Sequence, residues 1–180
     1  MKLMPADIIL TMDKKSWFSQ AILSVLNFFQ KDEVKYQHIM MMVDSEAVIE
    51  ANVKVEYNFF RERASDFKGY KIIRHRHLND DQRKEIVDKA KSKAGKNYSY
   101  LRLVFQFFDQ ALHTDWFTKR IKDPDQQICS SLIAWAYHEV LDCEFNGVSW
   151  AAVEPDDIDD ESLKDEYLWN TIIEWERNKW

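Results

Sequence analysis

The chain has 180 residues, 46% of them apolar, with three glycines and three prolines, which suits one globular domain with a sizeable core. A net charge of −6 and a pI near 5.4, with no clustered Lys/Arg stripe, argue against binding nucleic acid through its phosphates. Two cysteines, Cys129 and Cys143, are too few for a disulfide framework and point to a reducing compartment.

The start, Met1 to Leu10, carries Pro5 and Asp7 and lacks the long apolar core of a signal peptide, so the expected localisation is cytoplasmic, with export by another route left open. Asp7–Thr11 (D-I-I-L-T) is a short apolar run suited to a buried strand. Ser16–Gln30 has apolar residues at 17, 18, 21, 22, 25, 26 and 29, a helical spacing with Ser16 placed as its cap. The apolar part of that helix, Trp17–Phe29, is interrupted by polar residues and falls short of the roughly 20 apolar residues a membrane span needs. Burial against a sheet is its simplest use.

Tyr36–Val43 and Ala47–Val53 are β-prone runs joined by Asp44-Ser45-Glu46, a hairpin pattern, and Tyr70–Arg76 is a further strand. Asn79–Ala94 is a polar helix capped by Asn79 or Asp80 and ended by Gly95. Tyr98–Leu112 and Gln126–Leu141 are two more helices. Asp156–Glu161 reads as a solvated acidic loop, and Leu163–Trp180 as a final helix with a stripe of Leu168, Trp169, Ile172, Ile173 and Trp175. No repeat, low-complexity segment or flexible linker interrupts the order. The prediction is an α+β fold with its strands clustered early.

Chemistry centres on Q-I-C-S-S-L-I-A-W-A-Y at 127–137, where Cys129 stands near a helix start. A nucleophilic thiolate needs a histidine, itself oriented by a third polar group. Of five histidines, His138 shares the helix of Cys129, and His113 has nothing evident to orient it. His75 and His77 sit among arginines at a strand end, where surface exposure is the simpler reading. His38 differs, because the hairpin supplies a partner. If Met42 pairs with Glu46 around the loop, His38 lies directly opposite Glu50, about 5 Å apart at Cβ. A carboxylate interrupting the apolar run V-I-E-A also calls for a partner.

The ordered set P-A-D-I-I-L-T, Y-Q-H-I-M-M-M-V, A-V-I-E-A, G-K-N-Y-S-Y-L and I-C-S-S-L-I-A-W-A-Y resembles the circularly permuted, NlpC-like branch of papain-fold cysteine hydrolases, the YiiX/YebB-like group. The later E-P-D-D-I resembles the Pro-Asp-Asp segment that follows the nucleophile helix there. The resemblance spans Leu3 to Ile158. The Trp-rich helix at 162–180 lies beyond it and is expected, from its apolar stripe, to dock on the same domain. The resemblance implies a permuted papain-like α+β fold, a small antiparallel sheet packed on the nucleophile helix, with a hydrolase domain at 1–161. It also implies Cys129 as nucleophile, His38 as general base, Glu50 as its orienter and Tyr98 as a residue near the site. Pro5-Ala6 stands where the group has Gly before the Asp. Met40 stands where a small residue is common, which would narrow a cleft.

The implied reaction is hydrolysis of an amide or ester through an acyl-enzyme, with no metal or organic cofactor. Peptidoglycan stem peptides or acyl lipids are the substrate classes, and the latter would include an acyltransferase. A different class stays open: a catalytically silent papain-fold module that binds a partner through Trp169, Trp175 and Trp180. Taken singly, each residue has a plainer use. Cys129 and Cys143 suit a core, His38 a strand, and Met40, Met41 and Met42 the packing of a sheet. His75 and His77 offer two zinc ligands without a third, and the acids near Asp156 lack the spacing of a calcium loop. No partner protein or oligomeric state is legible.

Overall fold

The computed structural model describes residues 2–13, 35–51, 54–95 and 129–177. They form an α+β structure around one six-stranded antiparallel sheet. Its strands are β1 (Ile8–Asp13), β2 (His38–Met42), β3 (Ala47–Ala51), β4 (Val55–Phe59), β5 (Phe67–His75) and β6 (Trp169–Glu176), in spatial order β4-β3-β2-β1-β5-β6. Four helices accompany them: α1 (Phe60–Ala64), α2 (Asp80–Lys91), α3 (Cys129–Leu141) and α4 (Pro155–Lys164). The predicted helices Ser16–Gln30 and Tyr98–Leu112 lie outside the described residues.

Both faces of the sheet are buried at β2, which explains its unbroken apolar run. Ile39 and Met41 face the main core, with Ile8, Leu10, Ile49 and the inner sides of α2 and α3. Met40 and Met42 face a second cluster with Ile9, Val48, Phe67 and Ile72. A strand covered on both sides has no polar position to alternate with. Met40, expected to narrow a cleft, is instead fully buried packing.

The P-A-D segment ahead of β1 is anchored by charge. Asp7 is wholly buried and accepts a fork from Arg74, at 2.7 and 2.6 Å, while Arg83 donates to the carbonyls of Pro5 and His75. Ala6 holds φ at 64°, the left-handed region that glycine enters freely, and its carbonyl accepts from the buried Tyr137 hydroxyl. The departure from Gly at this position is thus a real conformational cost borne by the core contacts around it. On α2 the cap is Asn79, in a reciprocal capping box with Gln82.

Two expectations fail at the C-terminal end. Asp156–Glu161 is not a solvated loop but most of α4, with Pro155 in the first turn and a capping box between Glu154 and Asp157. Its acids have separate partners: Asp156 accepts from the backbone N–H groups of Lys35 and Tyr36, and Asp159 from Lys71 at 2.5 Å. Within the predicted Leu163–Trp180 helix, Leu163 and Lys164 end α4 and Trp169–Glu176 is strand β6, paired along β5 from His75↔Trp169 to Gly69↔Glu176, while Trp180 lies outside the described residues. The run W-N-T-I-I-E-W-E is rich in β-branched and aromatic residues, and an open edge of β5 outweighs its helical stripe. The tail therefore belongs to the same sheet as the rest of the chain.

Trp169 is 2% exposed and stacks among His75, Tyr137 and Phe145, with ring centroids 5.1–5.7 Å away. Trp175 is half-buried against Tyr70. Trp169→Ala is accordingly expected to lose about 3–5 kcal/mol in urea denaturation, and Trp175→Ala about 1 kcal/mol. Equal losses for the two would contradict this placement.

Candidate active site

The site begins with a hairpin whose register differs from expectation. Met40 pairs with Glu50, Met41 with Ile49 and Met42 with Val48, so His38 is not directly opposite Glu50. The cause lies in the loop. The Asp44 carboxylate accepts from the backbone N–H groups of Glu46 and Ala47, both at 2.8 Å, and Val43 rather than Met42 closes the turn, onto Ala47. The shift of two positions keeps side-chain parity, so His38 and Glu50 share a face as diagonal neighbours. Their side chains span the diagonal: His38 Nε2 lies 2.7 Å from Glu50 Oε2.

Glu50 is fully buried, and the sheet alone cannot satisfy it. Three more hydrogen bonds do. Asn58 on β4 donates to Oε1 at 2.7 Å, and Arg63 on α1 donates Nε to Oε1 at 2.7 Å and Nη2 to Oε2 at 3.0 Å. Burial would raise the Glu50 carboxyl, but the bonds from His38 and Arg63 outweigh it and hold the group down to about 2. Asn58 and Arg63 carry no sequence signal, since V-E-Y-N-F has weak alternation and α1 is five residues long. The unpaired carboxylate of Glu50 was the only hint that such partners had to exist.

Cys129, the first described residue of α3, lies in the main core and is 8% exposed. Its thiol acts on the His38 ring, as one of the causes that raise the imidazole's pKa. With Nε2 engaged by Glu50, Nδ1 is the ring nitrogen left for the thiol. Cys129 sits on the helix side of the sheet and Glu50 on the side of Val48, and they meet at His38, the first residue of β2. Burial of His38 disfavours its charged form, yet the contacts with Cys129 and Glu50 prevail and push it up to about 10. The ionised, buried carboxylate of Glu50 at Nε2 thus favours an imidazolium.

Other predicted features fall elsewhere. Tyr98 lies outside the described residues. His75, expected at the surface, is buried edge-to-face against Trp169, while His77 is exposed beside Tyr167. Asp156, from the E-P-D-D-I segment, fastens the backbone two and three residues before His38, and Ser130 donates to the Val153 carbonyl just ahead of that segment. Asp156 and Ser130 thus fasten the backbones near His38 and Cys129.

No protein-family model matches the sequence, and no curated protein does at a significant level. Among solved structures, the metalloprotein yiiX from Escherichia coli O157:H7 superposes with a TM-score of 0.57 at 20% identity, over 96% of this chain and 89% of that one. The chain therefore shares the fold of a YiiX-like protein. Because that neighbour is described as a metalloprotein, the donor set matters. Among the described residues no group of three or more His, Cys, Asp and Glu side chains is arranged to hold a metal ion, so those residues do not fit one. Nor is any described helix long and apolar enough to cross a membrane.

The shifted groups predict how stability depends on pH. Glu50, lowered from 4.5 to about 2, contributes stability that is present above pH 4.5 and lost as the pH falls through about 2. His38, raised from 6.5 to about 10, contributes below pH 6.5 and loses that contribution as the pH rises through about 10. Glu50→Gln should cost about 3 kcal/mol at pH 6, because it strands Arg63 and His38 without their carboxylate. In urea melts the gap to wild type should narrow between pH 4.5 and pH 2. A gap of constant size across that range would count against the ionised, paired carboxylate.

Proposed function

We propose that the chain is a thiol-dependent hydrolase of the permuted papain-like, NlpC-related kind, acting on an amide or ester bond. One observation carries the reading: a buried imidazole hydrogen-bonded to a buried, fully paired carboxylate and close enough to a cysteine for the thiol to shift its titration. That is the arrangement nucleophilic catalysis by cysteine requires, since the thiolate is the reactive form and needs a neighbouring imidazolium.

In this reading Cys129 gives its proton to His38 and attacks the substrate carbonyl through sulfur. The tetrahedral intermediate collapses as His38 protonates the departing amine or alcohol, leaving a thioester on Cys129. His38 then takes a proton from water, whose oxygen attacks the thioester and frees the acid, and the thiol is restored. Glu50 keeps Nε2 engaged so that Nδ1 serves the sulfur. The backbone N–H of Cys129 is the proposed oxyanion donor. Peptidoglycan stem-peptide amides and acyl lipids are the substrate classes to screen. The binding-module alternative loses its strongest anchor, because Trp169 lies inside the core rather than on a surface.

Thiol labelling tests the assignment before any substrate is known. Burial, with Glu161 and Glu144 nearby, pushes the Cys143 thiol up to about 11. At pH 6 iodoacetamide should label Cys129 at least about tenfold faster than Cys143, and His38→Ala should remove that advantage. Turnover of any amide or ester found in a screen should vanish in Cys129→Ala. Equal labelling of the two cysteines in the wild type sinks the nucleophile assignment.

A further inference from the structure

Glu50 is held from two directions, and the second direction has a function of its own. Both of its oxygens are shared: Oε2 between His38 and Arg63 Nη2, Oε1 between Asn58 Nδ2 and Arg63 Nε. A guanidinium is planar and presents two parallel N–H groups to the two oxygens of a carboxylate, so the fork fixes the carboxylate plane as well as its charge. The guanidinium is fixed in turn. It lies 5.4 Å from the ring centroid of the buried Phe67, and its Nη1 donates to Asp66 at 3.0 Å.

We propose that Arg63 is a positioning residue of this site: by gripping both oxygens of Glu50, it keeps the carboxylate ionised and Oε2 aimed at His38 Nε2. The proposal rests on the hydrolase reading and adds a fourth member to its line of groups. Two effects follow that can be separated. The charge of Arg63 keeps a buried Glu50 from taking up a proton as the pH falls. The fork keeps the imidazole turned so that Nδ1 meets the Cys129 sulfur, and a point charge cannot supply that orientation.

The test is the rate of Cys129 alkylation by iodoacetamide from pH 3 to pH 9 in the full chain, for wild type, Arg63→Gln and Arg63→Lys. Arg63→Gln, which removes the charge, should move the acid limb upward by about one pH unit or more and lower the plateau rate about tenfold. Arg63→Lys, which restores the charge without the fork, should return the acid limb to its wild-type position while the plateau stays low. Should Arg63→Gln fail to fold, Arg63→Lys alone decides: its plateau, normalised to the folded fraction read by circular dichroism, is lowered about tenfold if the proposal holds and equals wild type if it does not. Profiles that superimpose on wild type overturn the proposal. So does an equal fractional loss for both variants at every pH, the pattern that loss of folded protein alone produces. An unreactive Cys129 in the wild type overturns the hydrolase reading itself and is recognised before any variant is made.

Discussion

A carboxylate taken wholly out of water on an inner strand is the constraint around which this structure is arranged. Glu50 has no exposed surface, and leaving a charge of that kind unpaired costs several kcal/mol. Its partners therefore have to come from three separate elements: His38 from β2, Asn58 from β4 and Arg63 from α1. The short helix α1 follows β4 directly, which brings Arg63 back over the same face of the sheet. The second apolar cluster, with Phe67 under the guanidinium, closes that face. Folding the sheet in its correct register and completing the charge network are the same event.

On the other face, the main core sets the position of α3 and so of Cys129. Leu132, Ile133, Ala136 and Tyr137 bury one side of the helix against the sheet. Ser130 ties its first turn to the Val153 carbonyl, and Asp156, three residues further on, ties the segment entering β2. The E-P-D-D-I segment thus links the two elements that bear Cys129 and His38. Packing of both elements against the core sets where Cys129 and His38 sit. His38 and Arg63 both pair with the Glu50 carboxylate, so burying it costs less than burying it alone.

The parts of this arrangement visible in the sequence were those written as continuous patterns. The apolar runs of β1, β2 and β3 and the polar helix α2 follow from composition and caps. The association of His38 with Glu50 follows from strand alternation, which survives a register change of two. The register itself was misjudged, although Asp44 at the head of the loop is the residue type that folds its side chain onto the next N–H groups. In β6 two periodicities fit the same residues, and only the presence of an unpaired β5 edge decides between them. Helix α4 is hidden because its acids look like a solvated run, whereas Asp156 and Asp159 each have a distant partner. Asn58 and Arg63 were illegible for a different reason: they are fixed by what Glu50 needs in three dimensions, not by any spacing along the chain.

The central claim is that His38 is an imidazolium held between Cys129 and Glu50. Nitrogen NMR of the labelled histidine side chains reads this directly, with His38→Ala assigning the signal. The account predicts that both ring nitrogens of His38 remain protonated at pH 8, with the midpoint of the titration near pH 10. A His38 ring that loses its proton near pH 6.5, as an isolated histidine does, would contradict it.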